Sequence, residues 1–187
     1  MQDFDFSKIK EFDIAFTNKN DFISRGIRFF EAIGGIKNFF GNFGKALKAA
    51  TDDTIPSHVF LFNCPVPGRF FAAEMVDRGI ETDNSIKKNY LENSKMKIVA
   101  VKHVVEMDTD ESRRVASNLL YEYKDFELKY GWEKLLGQMG LPYKETTNTE
   151  ICSGLVARIY AAIGVDFGRQ PSPLEIMRSP IGTLTIY

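Results

Sequence analysis

The chain has 187 residues, of which 44% are hydrophobic and 26% are charged, and its formal net charge is -1 at pH 7. This composition is typical of a globular domain and excludes a disordered or fibrous chain. The near-zero net charge leaves no global electrostatic case for nucleic-acid binding.

The chain opens with MQDFDFSKIK, in which no cationic stretch is followed by an apolar run, so we expect no secretory signal. No apolar segment reaches the ~18–20 residues that cross a bilayer. We therefore expect a single domain over residues 1–187 that stays in the cytoplasm, without membrane contact.

The first half of the chain predicts one strand and one helix before its character changes. FDIAF (12–16) reads as a strand, and Asp21 is placed to cap a helix over 21–33. Residues 34–53 carry four glycines, three lysines and several phenylalanines. They predict an insertion or lid, either as a mobile, partly helical excursion or as a plain pair of surface helices.

The second half predicts a hairpin, a further strand and several helices. The helix after residue 105 is expected to begin at a capping box made by Asp108 and Glu111. The long helix near the C-terminus is expected to begin near Thr149 and to end before Gly164. The predicted strands are 56–63, 69–76, 97–105 and 182–187, and the predicted helices are 85–91, 108–123, 131–140 and 149–163, with one turn at 171–177.

The hairpin brings one histidine opposite one glutamate. A five-residue turn at 64–68 would pair Asn63 with Arg69 and, counting back along both strands, His58 with Glu74. Directly opposed side chains lie ~4.5–5.5 Å apart at Cβ, which allows an imidazole–carboxylate hydrogen bond. A slip of one residue would send the two side chains to opposite faces.

A nucleophile to complete this pair is expected at the start of the last long helix. Cys152 lies in the first turn if Thr149 is the N-cap, where the helix dipole favours a thiolate. A capping box formed by Thr147 and Glu150 would instead place Cys152 in the second turn. Taken alone, each residue has an ordinary structural reading, as a small buried cysteine, a structural histidine or an ion-paired glutamate.

The chain contains two cysteines and two histidines, which limits the other chemistry. Cys64, Cys152, His58 and His103 lack zinc-finger spacing, and a Cys64–Cys152 disulfide remains an alternative. We interpret His103 as a core residue beside Val99 and Val101. There is no C-x-x-C, no phosphate-binding glycine loop and no dinucleotide fingerprint, so we expect no metal and no cofactor.

The order of these segments carries a resemblance to a known family. FDIAF, a helix, IPSHVFLF, FFAAEMVDRGIE and EICSGLVARIYAAIGV together resemble the circularly permuted papain-fold cysteine hydrolases of the NlpC superfamily, the YiiX-like group. The resemblance covers residues 12–187, apart from the insertion. It implies an α+β fold, in which a small antiparallel sheet or half-barrel packs against a Cys-bearing helix.

Carried over by position, the resemblance makes Cys152 the nucleophile, His58 the general base and Glu74 the third polar residue. Two departures stand out. Phe12-Asp13 replaces the usual Gly-Asp of the leading strand, and Gly154 stands where relatives often have Glu.

We therefore expect a cysteine amidase or peptidase that cleaves a small peptide-like amide, including cell-wall-type peptides, with a Cys-His-Glu triad and no nucleic-acid partner. Two alternatives are a thioester-forming lipid acyltransferase, in which residues 34–53 face an acyl chain, and a non-catalytic binding module that keeps the cleft.

Overall fold

The computed structural model describes residues 4–19, 24–25, 27–29, 47–52, 54–92, 96–138 and 148–187. The strands are β1 (Ile14–Lys19), β2 (His58–Val66), β3 (Arg69–Val76), β4 (Gly79–Ser85), β5 (Met96–His103), β6 (Lys129–Tyr130), β7 (Thr149–Glu150) and β8 (Thr183–Ile186). The α-helices bounded in the described part are α1 (Asp110–Asp125), α2 (Trp132–Gln138), α3 (Cys152–Ala161) and α4 (Pro173–Arg178). Two 3₁₀ turns, Phe6–Lys8 and Val105–Asp108, and a π-helical turn, Lys87–Leu91, complete these elements.

A six-stranded sheet in the order β4-β3-β2-β1-β5-β8 organises the fold. Every neighbouring pair in it is antiparallel. A separate parallel pair joins β6 to β7 just before α3. Together with the helices this makes the protein α+β with an antiparallel sheet, as the sequence predicted at that level.

The central strand β2 is buried on both faces, because its side chains alternate between two apolar clusters. Val59 and Leu61 pack in the cluster that includes α3, whereas Phe60 and Phe62 pack in the cluster that includes Tyr90. The apolar run therefore forms a strand covered on both sides, as predicted.

The hairpin between β2 and β3 turns later than the sequence suggested. The prolines were expected to end the first strand at residue 63, but β2 continues through Pro65 to Val66. The register shifts between Asn63 and Val66, and this irregularity accommodates a residue that cannot donate to the ladder. The turn therefore contains only Pro67 and Gly68, and Gly68 adopts a φ of 76°.

The local structure differs from the sequence prediction at three points. Strand β4 was not foreseen, because its sequence GIETDNS is mostly polar, and the helix expected from residue 85 is a π-helical turn starting at Lys87. The N-cap of α1 is Thr109 rather than Asp108, since the Thr109 side chain accepts a hydrogen bond from the Ser112 backbone N–H at 3.0 Å.

Most of the predicted helix 21–33 and of the insertion at 34–53 lies outside the described residues. Residues 24, 25, 27–29 and 47–50 are helical. In the part of the chain that the structure describes, no helix combines the length and the apolar character needed to cross a membrane.

Candidate active site

The site begins at the first residue of β2. The His58 side chain is 19% exposed, and its Nε2 lies 2.6 Å from Oε2 of Glu74. Glu74 lies on β3 with a side chain that is 5% exposed. The structure therefore brings together the histidine and the glutamate that the sequence paired.

The register that produces this contact differs from the predicted one by two residues. Leu61 pairs with Ala73 and Phe62 with Ala72, so Glu74 lies diagonally from His58 rather than directly opposite. A shift of two residues keeps every side chain on its original face, whereas a shift of one would have separated the two residues. For this reason the predicted contact between His58 and Glu74 is present although the predicted register is wrong by two residues.

The Glu74 carboxylate is held by two further donors that sequence reasoning missed. The Tyr90 hydroxyl donates to Oε2 at 2.6 Å, and the Asn84 side-chain amide donates to Oε1 at 2.8 Å. Burial raises the pKa of Glu74, but the hydrogen bonds from His58, Tyr90 and Asn84 and the charge of His58 outweigh it, so the pKa is lowered. The carboxylate therefore stays ionised in a buried position.

Neither donor carried a usable sequence signal. Asn84 lies on β4, the strand whose polar sequence did not predict it, and Tyr90 lies in the π-helical turn that follows. Both reach Glu74 only through tertiary packing.

Cys152 is the first residue of α3, closer to the helix start than the sequence indicated. Thr149 is not the N-cap, because Thr149 and Glu150 form β7 and pair with Lys129 and Tyr130. The N-cap is Ile151, whose carbonyl accepts the first helical bond, from the Leu155 N–H, at 2.9 Å. A capping box at 147–150 is likewise wrong, since the helix starts after it. Cys152 thus lies where backbone N–H groups have no intrahelical partner and the dipole favours a negative charge.

Cys152 and His58 interact directly. Cys152 is buried, with 6% of its surface exposed, and its charge acts on the His58 imidazole. Burial lowers the pKa of His58, but the negative charge of Cys152, its hydrogen bond and the Glu74 carboxylate outweigh burial and raise the pKa to about 10. Because Nε2 is hydrogen-bonded to Glu74, Nδ1 is the ring nitrogen that is available to interact with the Cys152 sulfur.

A cavity of about 250 Å³ opens beside His58 and Glu74. Tyr130 and Trp132 form one wall, with their ring centroids 4.9 Å apart. Burial, followed by the charges of Cys152 and Asp77, raises the pKa of Tyr130. The other described lining residues are Ser24, Ile27, Ser57, Met75, Val76, Asp77 and Met96.

His103 is not a core residue, contrary to the sequence interpretation. Its Nδ1 lies 2.7 Å from Asp13 and its Nε2 lies 3.2 Å from Asp108, which also accepts from Lys10. Asp13 comes from the turn before β1, a long-range partner that the local pattern around His103 did not reveal.

Both cysteines are free, so the Cys64–Cys152 disulfide is excluded. Among the described residues, no group of three or more histidine, cysteine or acidic side chains is arranged to hold a metal ion. Comparison of the chain with protein-family models and with curated proteins finds no match.

Proposed function

We propose that the protein is a cysteine hydrolase, an amidase or peptidase that cleaves a small peptide-like amide through an acyl-enzyme. The observation that carries the proposal is the arrangement around one imidazole. His58 hydrogen-bonds Glu74 at 2.6 Å through Nε2, and the charge of Cys152, at the start of α3, raises the pKa of the same imidazole. A carboxylate that orients a histidine, which in turn activates a nucleophile, is the general arrangement of covalent hydrolases.

The charges around His58 favour its imidazolium form in the resting protein. With its pKa at about 10, His58 is protonated at neutral pH. The imidazolium and the N-terminus of α3 both stabilise negative charge on the Cys152 sulfur. A thiolate–imidazolium pair is the reactive state of a cysteine nucleophile.

The reaction follows from this state. The Cys152 thiolate attacks the amide carbonyl and forms a C–S bond, and the carbonyl oxygen takes the displaced electron pair. In this proposal the Cys152 backbone N–H, at the open end of α3, donates to that oxygen. As the tetrahedral intermediate collapses, the C–N bond breaks and His58 gives its proton to the leaving amine.

Hydrolysis completes the cycle. Neutral His58 takes a proton from a water molecule as the water oxygen attacks the thioester carbon. The C–S bond then breaks, releasing a carboxylic acid and restoring the thiolate beside the imidazolium. Glu74 keeps the imidazole oriented and stabilises its charge in both halves of the reaction.

The cavity supports a short substrate. Its volume of about 250 Å³ lies just below the ~300–1,000 Å³ usual for ligand pockets. Its apolar and aromatic wall suits the body of a small amide, and His58 faces the same space.

We infer in addition that the fold is a permuted papain-like one. The α+β architecture and the antiparallel sheet support this, and the site residues come in the order histidine, glutamate and cysteine along the chain. Cys152 heads a helix that packs against the sheet, in the same apolar cluster as Val59 and Leu61.

The test is hydrolysis of a panel of aminoacyl- and dipeptidyl-aminomethylcoumarins by the wild type, by Cys152→Ala and by Cys64→Ala as the matched cysteine control. We expect the wild type and Cys64→Ala to release the fluorophore at equal rates. Cys152→Ala should lose at least ~10³-fold of the rate. Equal turnover by Cys152→Ala and the wild type would contradict the proposed nucleophile.

A further inference from the structure

A buried carboxylate lies against the first turn of the helix that carries Cys152. Glu150 immediately precedes the N-cap of α3, and its side chain is 3% exposed. Its Oε1 accepts a hydrogen bond from the Ile151 backbone N–H at 3.1 Å. The side chain therefore folds back along the start of α3 instead of pointing away from it.

Gly154 makes this position available. A Cβ at residue 154 would lie 2.0 Å from Oε1 and 2.5 Å from Cδ of Glu150. These distances are far below any contact that real Cβ atoms make, so the carboxylate occupies the space that a side chain at 154 would need. The Glu150 carboxylate therefore fits in this position only because residue 154 has no side chain.

Two cations hold the carboxylate there. Oε2 accepts from Lys134 Nζ at 3.2 Å and from Arg158 Nε at 2.5 Å. Lys134 lies on α2 with a side chain that is 3% exposed, whereas Arg158 lies one turn beyond Gly154 on α3 with half of its side chain exposed. A buried carboxylate requires this kind of pairing, and removing one partner of such a cluster is costly.

The cluster connects the helix that carries Cys152 to the helix that begins in the cavity wall. Lys134 belongs to α2, which begins at Trp132 in the cavity wall, and the Gly131 N–H donates to the Glu150 carbonyl at 2.7 Å. On the other side, Glu150 contacts the backbone that leads into Cys152. Displacement of the carboxylate therefore changes the position of the nucleophile relative to both His58 and the cavity wall.

We propose that Glu150 is a positioning residue for Cys152, acting from the space that Gly154 leaves open. This inference rests on the proposed function, in which Cys152 is the nucleophile. The carboxylate that fills the space beside Gly154 comes from the residue that precedes the N-cap of α3.

The test is the alkylation rate of Cys152 by iodoacetamide, followed by peptide mass spectrometry with Cys64 as an internal control, in two single variants and one double variant. Glu150→Ala removes the carboxylate, and Gly154→Glu adds a second one that clashes with it. We expect each single substitution to lower the alkylation rate of Cys152 by at least ~10-fold, since small displacements of a reacting group have effects of this order.

The double variant Glu150→Ala/Gly154→Glu moves the carboxylate to residue 154, at the i, i+4 spacing from Arg158 that supports a helical ion pair. We expect it to react within ~3-fold of the wild type. A double variant that is slower than either single variant overturns the proposal.

Gly154→Ala tests the proposal even if Glu150→Ala does not fold, because it adds one methyl group and keeps the charges of Glu150, Lys134 and Arg158. We expect it to slow Cys152 while Cys64 is unaffected, and a wild-type rate at Cys152 overturns the proposal. Glu175→Gln is the matched control. This substitution removes the charge of a glutamate at the N-terminus of α4, where Glu175 forms a capping box with Ser172. It should leave the alkylation rate of Cys152 unchanged.

Failure of the proposed function is distinguishable from failure of this inference. If wild-type Cys152 reacts no faster than Cys64, the nucleophile assignment fails. The coupling of Glu150 to Gly154 is then read from melting temperatures of the same four proteins. Additive shifts in that cycle would show that the two residues do not act as one unit.

Discussion

Replacing Glu74 by Gln tests how the carboxylate sets the protonation of His58. The amide preserves the shape of the side chain and removes its charge, while Asn84 can rotate its own amide to accept from the new NH₂ group. The remaining oxygen can still accept from His58 and Tyr90. The variant therefore isolates the charge of the carboxylate from its packing.

The size of the effect follows from the 2.6 Å contact between His58 and Glu74. A buried hydrogen bond to a charged group contributes ~1.5–3 kcal/mol. Since 1.36 kcal/mol corresponds to one pKa unit, the pKa of His58 should fall by about 1–2 units. From about 10 in the wild type, it should move to about 8–9 in the variant.

The assay is an NMR titration of the imidazole signals from pH 5 to 11. The chain has two histidines, so His103→Gln assigns the spectrum. Glu81→Gln is the matched control, because Glu81 lies opposite Glu74 on β4 and loses the same charge without removing the carboxylate that His58 contacts. A His58 midpoint that is the same in Glu74→Gln and the wild type would refute the reasoning.

Three further predictions concern stability. Because the pKa of His58 is raised and that of Glu74 is lowered, their pairing stabilises the fold between about pH 4.5 and about pH 10 and is lost outside that window. The unfolding free energies of the wild type and Glu74→Gln, measured in urea, should therefore differ most near pH 7 and converge above pH 10. A difference that stays constant with pH would contradict this. Tyr90→Phe removes the 2.6 Å hydrogen bond to Glu74 and should lower the unfolding free energy by about 1–3 kcal/mol; an unchanged urea midpoint would show that the hydroxyl contributes nothing. Gly182→Ala places a Cβ 2.3 Å from the His103 carbonyl oxygen at a φ of 79°. It should therefore lower the unfolding free energy by about 1–3 kcal/mol more than Gly68→Ala, whose residue has a similar φ and open space around it. Equal melting temperatures of the two variants would contradict the clash.

The strands that carry the site were predictable because their signals are local. β3 was predicted at its observed bounds, and the apolar run of β2 indicated burial on both faces. The pairing of His58 with Glu74 followed from face alternation, which tolerates the two-residue error in register. Hairpin arithmetic could not foresee the irregularity near Pro65 that caused this error.

The features that sequence reasoning missed depend on partners far along the chain. Thr149 has a capping side chain, yet pairing with Lys129 placed it in a strand and moved the start of α3 to Cys152. Asn84 and Tyr90 reach Glu74 through packing alone. His103 shows the same effect, since Asp13, 90 residues away, gives it a polar environment.

The relative reactivity of the two cysteines tests the central claim most directly. At pH 7 a limiting amount of iodoacetamide is added to the folded protein, and the labelling of each cysteine is followed by mass spectrometry. The nucleophile assignment predicts that Cys152 is alkylated at least ~10-fold faster than Cys64, although Cys152 is the more buried of the two, and that His58→Gln removes this advantage. Labelling of Cys64 ahead of Cys152, or a Cys152 rate that is unchanged by His58→Gln, would contradict the account.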